Sequence, residues 1–231
     1  MAQKIIVTGA NGGLGTQVTQ HLLNEGYEVH ATIIPNGPEP EEAKSAFEQN
    51  ERLHLKKVDA LDQQQVQQYV ENLGDVYGGV LTVGGFQMKP FLKTTQADLD
   101  RMIDLNFRTA FNFALPLARH FKEKGTGRLF FIGSKPAVEK GGRALTSYSL
   151  SKGMLTKLAE IANEELQGTE ATATLVVPDL IDTPANRQAM PDADFSQWVK
   201  PSEIARIIGF YLTPQAQRLR EPILKIYGNP A

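Results

Sequence analysis

The chain contains no cysteine in 231 residues, which excludes disulfides, thiolate metal sites and a thiol nucleophile. It also lacks any apolar run near the ~20 residues that a membrane span needs. Its first residues, MAQKIIVTGANGG, enter an apolar strand without a signal-type segment, so the expected location is cytoplasmic and no membrane partner is expected. Charge of one sign is missing as well. Lys and Arg number 24 against 26 Asp and Glu, and without a basic cluster a nucleic-acid surface is not expected. His21, His30, His54 and His120 stand singly, without ligand spacing, and on that pattern no metal is expected.

What is present is an alternation of apolar runs and helical patterns, the signature of a parallel sheet with crossover helices. The runs KIIVT (4–8), YEVHATII (27–34), RLHLKKVD (52–59), VYGGVLTV (76–83), GRLFFIG (127–133), ATATLVV (171–177) and PILKIYG (222–228) read as strands. Between them lie helical patterns at 14–26, closed by Gly26, and at 62–74, 95–125, 147–166 and 201–212; PNGPEPEEAKSAFEQN (35–50) reads as a Pro-rich turn leading into a polar helix. The expectation is a single α/β domain over residues 1–231, a Rossmann-like doubly wound parallel sheet of about seven strands with helices on both faces. Within 95–125, Pro116 is expected to bend the helix unless packing compensates. The only long irregular stretch is 178–200, a length that points to function.

TGANGGLG (8–15) lies between the first strand and the first helix. Glycines there let the backbone turn and approach a pyrophosphate at the helix N-terminus. An acidic side chain at the end of the second strand would select a ribose hydroxyl and a basic one a 2′-phosphate, but Thr32, Ile33, Ile34, Pro35 and Asn36 are neither. The cofactor is therefore read as NAD or NADP, without a choice.

In YSLSK (148–152), the i, i+4 spacing makes Tyr148 and Lys152 neighbours on a helix. Leu150, Met154, Leu158 and Ile161 form the apolar face expected of that helix, leaving the pair turned toward a cleft. A phenol titrates at about 10, and an adjacent ammonium is expected to lower that value and fit Tyr148 for acid–base work. Taken alone, each residue has a plainer role: the pair as a helix flank, Ser134 as a strand-end turn residue, Asn106 as a kink residue, the glycines as a tight turn.

The T-G-x-x-x-G-x-G loop followed far downstream by Y-x-x-x-K resembles the short-chain dehydrogenase/reductase family, and the likeness spans the chain. The resemblance implies an NAD(P)-dependent oxidoreductase acting on a small carbonyl or C=N substrate, with Tyr148, Lys152, Ser134 and Asn106 catalytic. Tyr148 would transfer the proton, Lys152 would also hold the nicotinamide ribose, Ser134 would polarise the substrate, and Asn106 would link Lys152 to solvent through a water on its backbone carbonyl. It assigns Gly9, Asn11, Gly12, Gly13, Leu14 and Gly15 to the cofactor, with Asp59 and Ala60 near the adenine. Val83 and Gly84 follow the fourth strand; Pro178, Ile181 and Thr183 follow the sixth and face the nicotinamide. Val83 stands where the family carries a structural asparagine, and Asp179 where it carries glycine.

DTPANRQAMPDADFSQW (182–198) is similar to the substrate-side loop of the dihydropteridine reductase branch, which implies a quinonoid dihydropteridine as one substrate, although that branch carries alanine at Ser134 and aspartate at Ile33. In this loop Arg187 faces either an anionic substrate group or Asp192 and Asp194, while Phe195 and Trp198 either wall a flat ring or cover the core. Family resemblance further implies a homodimer or homotetramer pairing the 95–125 and 147–166 helices. A non-catalytic dinucleotide-binding sensor or scaffold is the alternative from another class.

Overall fold

Apolar runs buried on both sides can only be strands covered on both faces. The computed structural model, which describes residues 2–35 and 50–228, places seven strands in one sheet, five of them largely buried and the two at the edges more exposed. These are β1 (Lys4–Thr8), β2 (Glu28–Ile33), β3 (Leu53–Lys57), β4 (Val76–Leu81), β5 (Arg128–Ile132), β6 (Thr172–Pro178) and β7 (Ile223–Ile226). All pairings among them are parallel, in the order β3-β2-β1-β4-β5-β6-β7. The order reverses between β1 and β4, so a crevice opens beyond their C-terminal ends, where the loops after the two strands diverge.

The described helices are α1 (Gly13–Asn24), α2 (Gln63–Leu73), α3 (Gln96–Ile103), α4 (Thr109–Lys124), α5 (Lys135–Val138), α6 (Thr146–Glu165), α7 (Pro184–Ala189) and α8 (Pro201–Leu212). On one face of the sheet, α1 and α8 pack Val18, Leu22, Ile204 and Ile208 onto Ile5, Val7 and Val176. On the other, α2, α4 and α6 contribute Val66, Phe113, Leu117, Leu155 and Ala159. Local chemistry fixes the helix starts. Asp62 accepts from the Gln65 amide, and Thr95 and Asp98 form a reciprocal capping box. The polar helix expected after Pro35 falls at 36–49, outside the described residues. No helix among those described is long and apolar enough to cross a membrane.

Three expectations are corrected. The 95–125 segment is not one α-helix: α3 and α4 are joined by a π-helical turn, Asp104–Arg108, and α4 continues through Pro116. The departure from α geometry therefore sits at Asn106 and not at the proline. On α6, Leu150, Met154 and Ile161 are exposed, whereas Ser147, Ser151, Lys152, Leu155 and Ala159 are buried. Leu158, the fourth residue of the expected face, is partly buried against the core beside Leu155. Small side chains at the other inward positions let this helix approach the sheet closely, and Leu150, Met154 and Ile161 are left outside. Finally, 178–200 is not irregular throughout. It contains α7 and a 3-10 turn at Phe195–Gln197, and it closes on itself through an Ile181–Val199 bridge.

Candidate active site

The loop after β1 turns at Gly9, whose φ of 62° lies in the left-handed region. At Gly15 the demand is for space: a Cβ there would lie 2.1 Å from the Gly9 carbonyl oxygen. Only glycine lets α1 begin against its own entry loop. The start of α1 carries no side-chain cap and no acidic residue in its first turn. Its free amides and positive dipole end are thus available to an anion.

Around this start lies a cavity of about 370 Å³. Gly9, Asn11, Gly12, Gly13, Leu14 and Gly15 form one wall. Asp59 and Ala60, beyond β3, and Val83 and Gly84, beyond β4, form others, so ten of the sequence-assigned cofactor positions share one space. Thr32, Ile33 and Ile34, read from the sequence as the strand end that meets the ribose, line it too. Thr82, Leu105 and Thr109 also line it and had not been singled out; for Thr82 the signal was its place directly after a strand at the switch point. Thr8 and Thr82 hold the mouths of β1 and β4 together, the Thr82 amide donating to Thr8 Oγ1 at 3.1 Å and Thr82 Oγ1 to the Thr8 carbonyl at 2.6 Å. Thr183, which follows Pro178 and Ile181, reaches the same loop. A Cβ built on Gly13 would lie 2.9 Å from its methyl group.

Gly84 connects the cavity to the second cluster, since a Cβ at that position would lie 2.8 Å from Asn106 Oδ1 and 3.1 Å from Lys152 Nζ. Asn106 is fully buried. Its Oδ1 accepts from the Gly85 amide at 2.9 Å and its Nδ2 donates to Ser151 Oγ at 3.0 Å, so the side chain ties the β4 loop to α6. Lys152 Nζ donates to the Ile132 carbonyl at 2.8 Å, and burial lowers its pKa to about 8. Ser134 directly precedes α5, where a serine would ordinarily cap the helix. Its hydroxyl makes no capping bond, and its buried Oγ has no hydrogen-bond partner.

Tyr148 departs from expectation in its electrostatics. Burial pushes its phenol above the usual value, and the neighbouring Ser134 hydroxyl draws it part of the way back. Lys152 is not among the groups that shift it, and its ammonium donates to the Ile132 carbonyl. Phe86 packs edge-on against the Tyr148 ring at 5.0 Å between centroids. Arg187 pairs with neither Asp192 nor Asp194. It forms a two-point ion pair with Asp182, at 2.5 and 2.8 Å, and lies over the Phe195 ring. Trp198 is buried and meets the Phe195 ring edge-on, at 4.9 Å between centroids.

A dinucleotide fits what is present: an uncapped helix start, a cavity walled by glycine backbone, and a buried hydroxyl lacking a partner beside a tyrosine. Fold and site together define a dinucleotide-binding α/β oxidoreductase. Residues 3–194 match the sequence profile of the short chain dehydrogenase family, and the chain belongs to that family. It is accordingly an NAD(P)-dependent oxidoreductase.

Among its relatives, Nodulation protein G of Azospirillum brasilense is 30% identical, with 99% of this chain and 98% of that protein covered. Acetoacetyl-CoA reductase of Synechocystis is 28% identical over 97% of this chain and 94% of that protein. The structure of ElxO with NADP bound superposes with a TM-score of 0.88 at 19% identity, covering 98% of this chain and 97% of that one, a likeness of fold.

Proposed function

We propose that the protein reduces a small ketone or aldehyde, with Tyr148 as the proton donor. The observation that carries this reading is the buried Ser134 hydroxyl beside Tyr148, which caps no helix and lowers the Tyr148 phenol against the effect of burial. A substrate carbonyl oxygen placed between Ser134 and Tyr148 would accept from both. The glycine loop and the start of α1 would hold the pyrophosphate, Lys152 the nicotinamide ribose, and Thr183 and Ile181 the nicotinamide. When bound, the dinucleotide supplies the hydride.

As the carbonyl carbon is reduced, negative charge develops on its oxygen. Ser134 donates a hydrogen bond to that oxygen, and Tyr148 transfers its proton there. A phenol is protonated throughout the neutral range, so Tyr148 carries the proton that reduction consumes. Asn106 keeps the β4 loop and α6 in register around Tyr148 and Lys152. That a relative is an acetoacetyl-CoA reductase supports a ketone as the substrate class.

A quinonoid dihydropteridine is the second reading, carried by the likeness of residues 182–198 to that branch. It is the weaker one, since Trp198 is buried and Arg187 is occupied by Asp182. We also propose a homo-oligomer, because Leu150, Met154 and Ile161 present an apolar stripe to solvent on α6.

The test assays purified protein with NADH and NADPH against acetoacetyl thioesters, simple ketones and aldehydes, and quinonoid dihydropterin. Tyr148→Phe should lower turnover by roughly 10²-fold or more with cofactor affinity retained. Full turnover in that variant would falsify the proton-donor role. Activity on dihydropterin alone would replace the ketone reading, and stoichiometric cofactor binding without turnover on any substrate would replace both with a sensor.

A further inference from the structure

Successive side chains on a strand alternate faces, so Glu28 and His30 of β2 project to the same side of the sheet. The parallel register sets His54 of β3 directly opposite His30. Three metal-ligating side chains, far apart in sequence, are thereby forced onto one patch. The imidazoles of His30 and His54 stack at 4.7 Å, the spacing of the strands that carry them. Both turn Nε2 toward the same carboxylate oxygen: His30 lies 2.9 Å and His54 3.3 Å from Glu28 Oε1. The two histidines are not isolated, as their sequence spacing implied.

From this geometry we infer a divalent-cation site of two imidazoles and one carboxylate, formed by Glu28, His30 and His54. With bonds of about 2.0–2.1 Å to nitrogen or oxygen, ligand atoms around one ion sit about 2.9 Å apart at a right angle and about 3.3 Å apart at the tetrahedral angle. The two measured separations have these values, and all three donor atoms lie within 4.8 Å of one another. His30 is buried and rigid, while the His54 side chain is 50% exposed, leaving solvent a way in and room for an aquo ligand. Lys4, paired with Glu28 across β1, sends its ammonium to the Leu73 carbonyl at 2.9 Å, while the carboxylate keeps its hydrogen-bond and ion-pair contacts with the two imidazoles.

Imidazole and carboxylate without thiolate suit borderline ions such as Zn²⁺, Co²⁺ or Ni²⁺. The site lies three residues along β2 from Ile33 at the cavity, about 10 Å, and shares no residue with the cavity lining. It touches none of the reacting groups, so its effect is structural: an ion there staples the edge strand β3 to β2.

The experiment titrates tag-free full-length protein with Zn²⁺ by calorimetry and with Co²⁺ by visible absorption. One equivalent should bind, with Co²⁺ developing the d–d bands of a nitrogen–oxygen site. His54→Ala and Glu28→Gln, both at solvent-accessible positions, should each weaken binding by more than about tenfold, since even the loss of an outer-shell partner costs roughly that much. His120→Ala, whose ring bonds the Val76 carbonyl elsewhere, should leave affinity unchanged. Zn²⁺ at about a hundred times its Kd should raise the melting temperature by roughly 5–10 °C in the parent and not in His54→Ala. Affinity unaffected by His54→Ala, or no binding by the parent at millimolar Zn²⁺, overturns the site.

Discussion

Replacing Lys152 with methionine should stabilise the cofactor-free protein at neutral pH relative to what contact-counting suggests, and the reason is electrostatic. Burial lowers the lysine from 10.5 to about 8. Each pKa unit is worth 1.36 kcal/mol, so holding the charged form in the folded state costs about 3 kcal/mol at pH 7. The direction in pH follows. Below pH 8 the lysine is protonated in both states and the full cost applies. Between 8 and 10.5 the unfolded chain binds more protons than the folded one, so stability rises with pH, and above 10.5 the cost is gone. By pH 9.5 the parent should recover about 2 kcal/mol of it. Lys152→Met removes this pH-dependent contribution and leaves the Ile132 carbonyl without its donor, which costs about 1–3 kcal/mol. Urea unfolding of both proteins at pH 7 and 9.5, without cofactor, measures the difference directly. The variant should gain on the parent at pH 7, lose about 2 kcal/mol of that advantage by pH 9.5, and have no measurable turnover at either pH. A stability difference that stays constant between the two pH values refutes the reasoning, because the lost hydrogen bond alone has no such dependence.

Gly15→Ala should cost about 1–3 kcal/mol by overpacking and abolish dinucleotide binding, since the new Cβ at 2.1 Å from the Gly9 oxygen must push the loop open; fluorescence titration with NADPH measures this, and unchanged affinity contradicts the packing argument. For assembly, Leu150→Asp combined with Met154→Asp should convert an oligomer into a monomer by light scattering while preserving the circular-dichroism spectrum, because both side chains are exposed in the single chain; an unaltered mass moves the interface elsewhere.

Much of the fold was legible because a parallel sheet writes itself as separated apolar runs. IIV in β1, FFI in β5 and LVV in β6 are buried on both faces, and no other arrangement accommodates them. The glycine loop was legible for the same local reason, its spacing being set by one turn and one helix start. The buried face of α6 was misread because apolar periodicity assumes that large side chains point inward. Here the inward positions are Ser147, Ser151, Lys152, Leu155 and Ala159, of which only Leu155 is a large apolar side chain. Lys152 and close helix–sheet packing take much of the inner face, and Leu150 and Met154 are left over. The cluster of Glu28, His30 and His54 was invisible for a different reason: it exists only through the register of β2 with β3, which no residue near either histidine encodes.

The π-helical turn at Asp104–Arg108 belongs with these non-local features, and its cause lies in the site. A regular α-helix from 95 to 125 satisfies its own backbone and gives no reason to depart from that geometry. Asn106, however, is fully buried and carries both an acceptor and a donor. Left unpaired, each would cost about 1–3 kcal/mol. The wider turn sets the side chain where Oδ1 meets the Gly85 amide and Nδ2 meets Ser151 Oγ. Two groups, the Gly85 amide on the loop after β4 and the Ser151 hydroxyl on α6, are joined through the same side-chain amide. Ser151 also donates to the Tyr148 carbonyl at 2.9 Å, so the chain of contacts runs from the glycine pair at the cavity mouth to the backbone of Tyr148. The helix gives up regular hydrogen bonding over one turn, and the site gains a fixed distance between the glycine wall of the cavity and the helix that carries Tyr148 and Lys152.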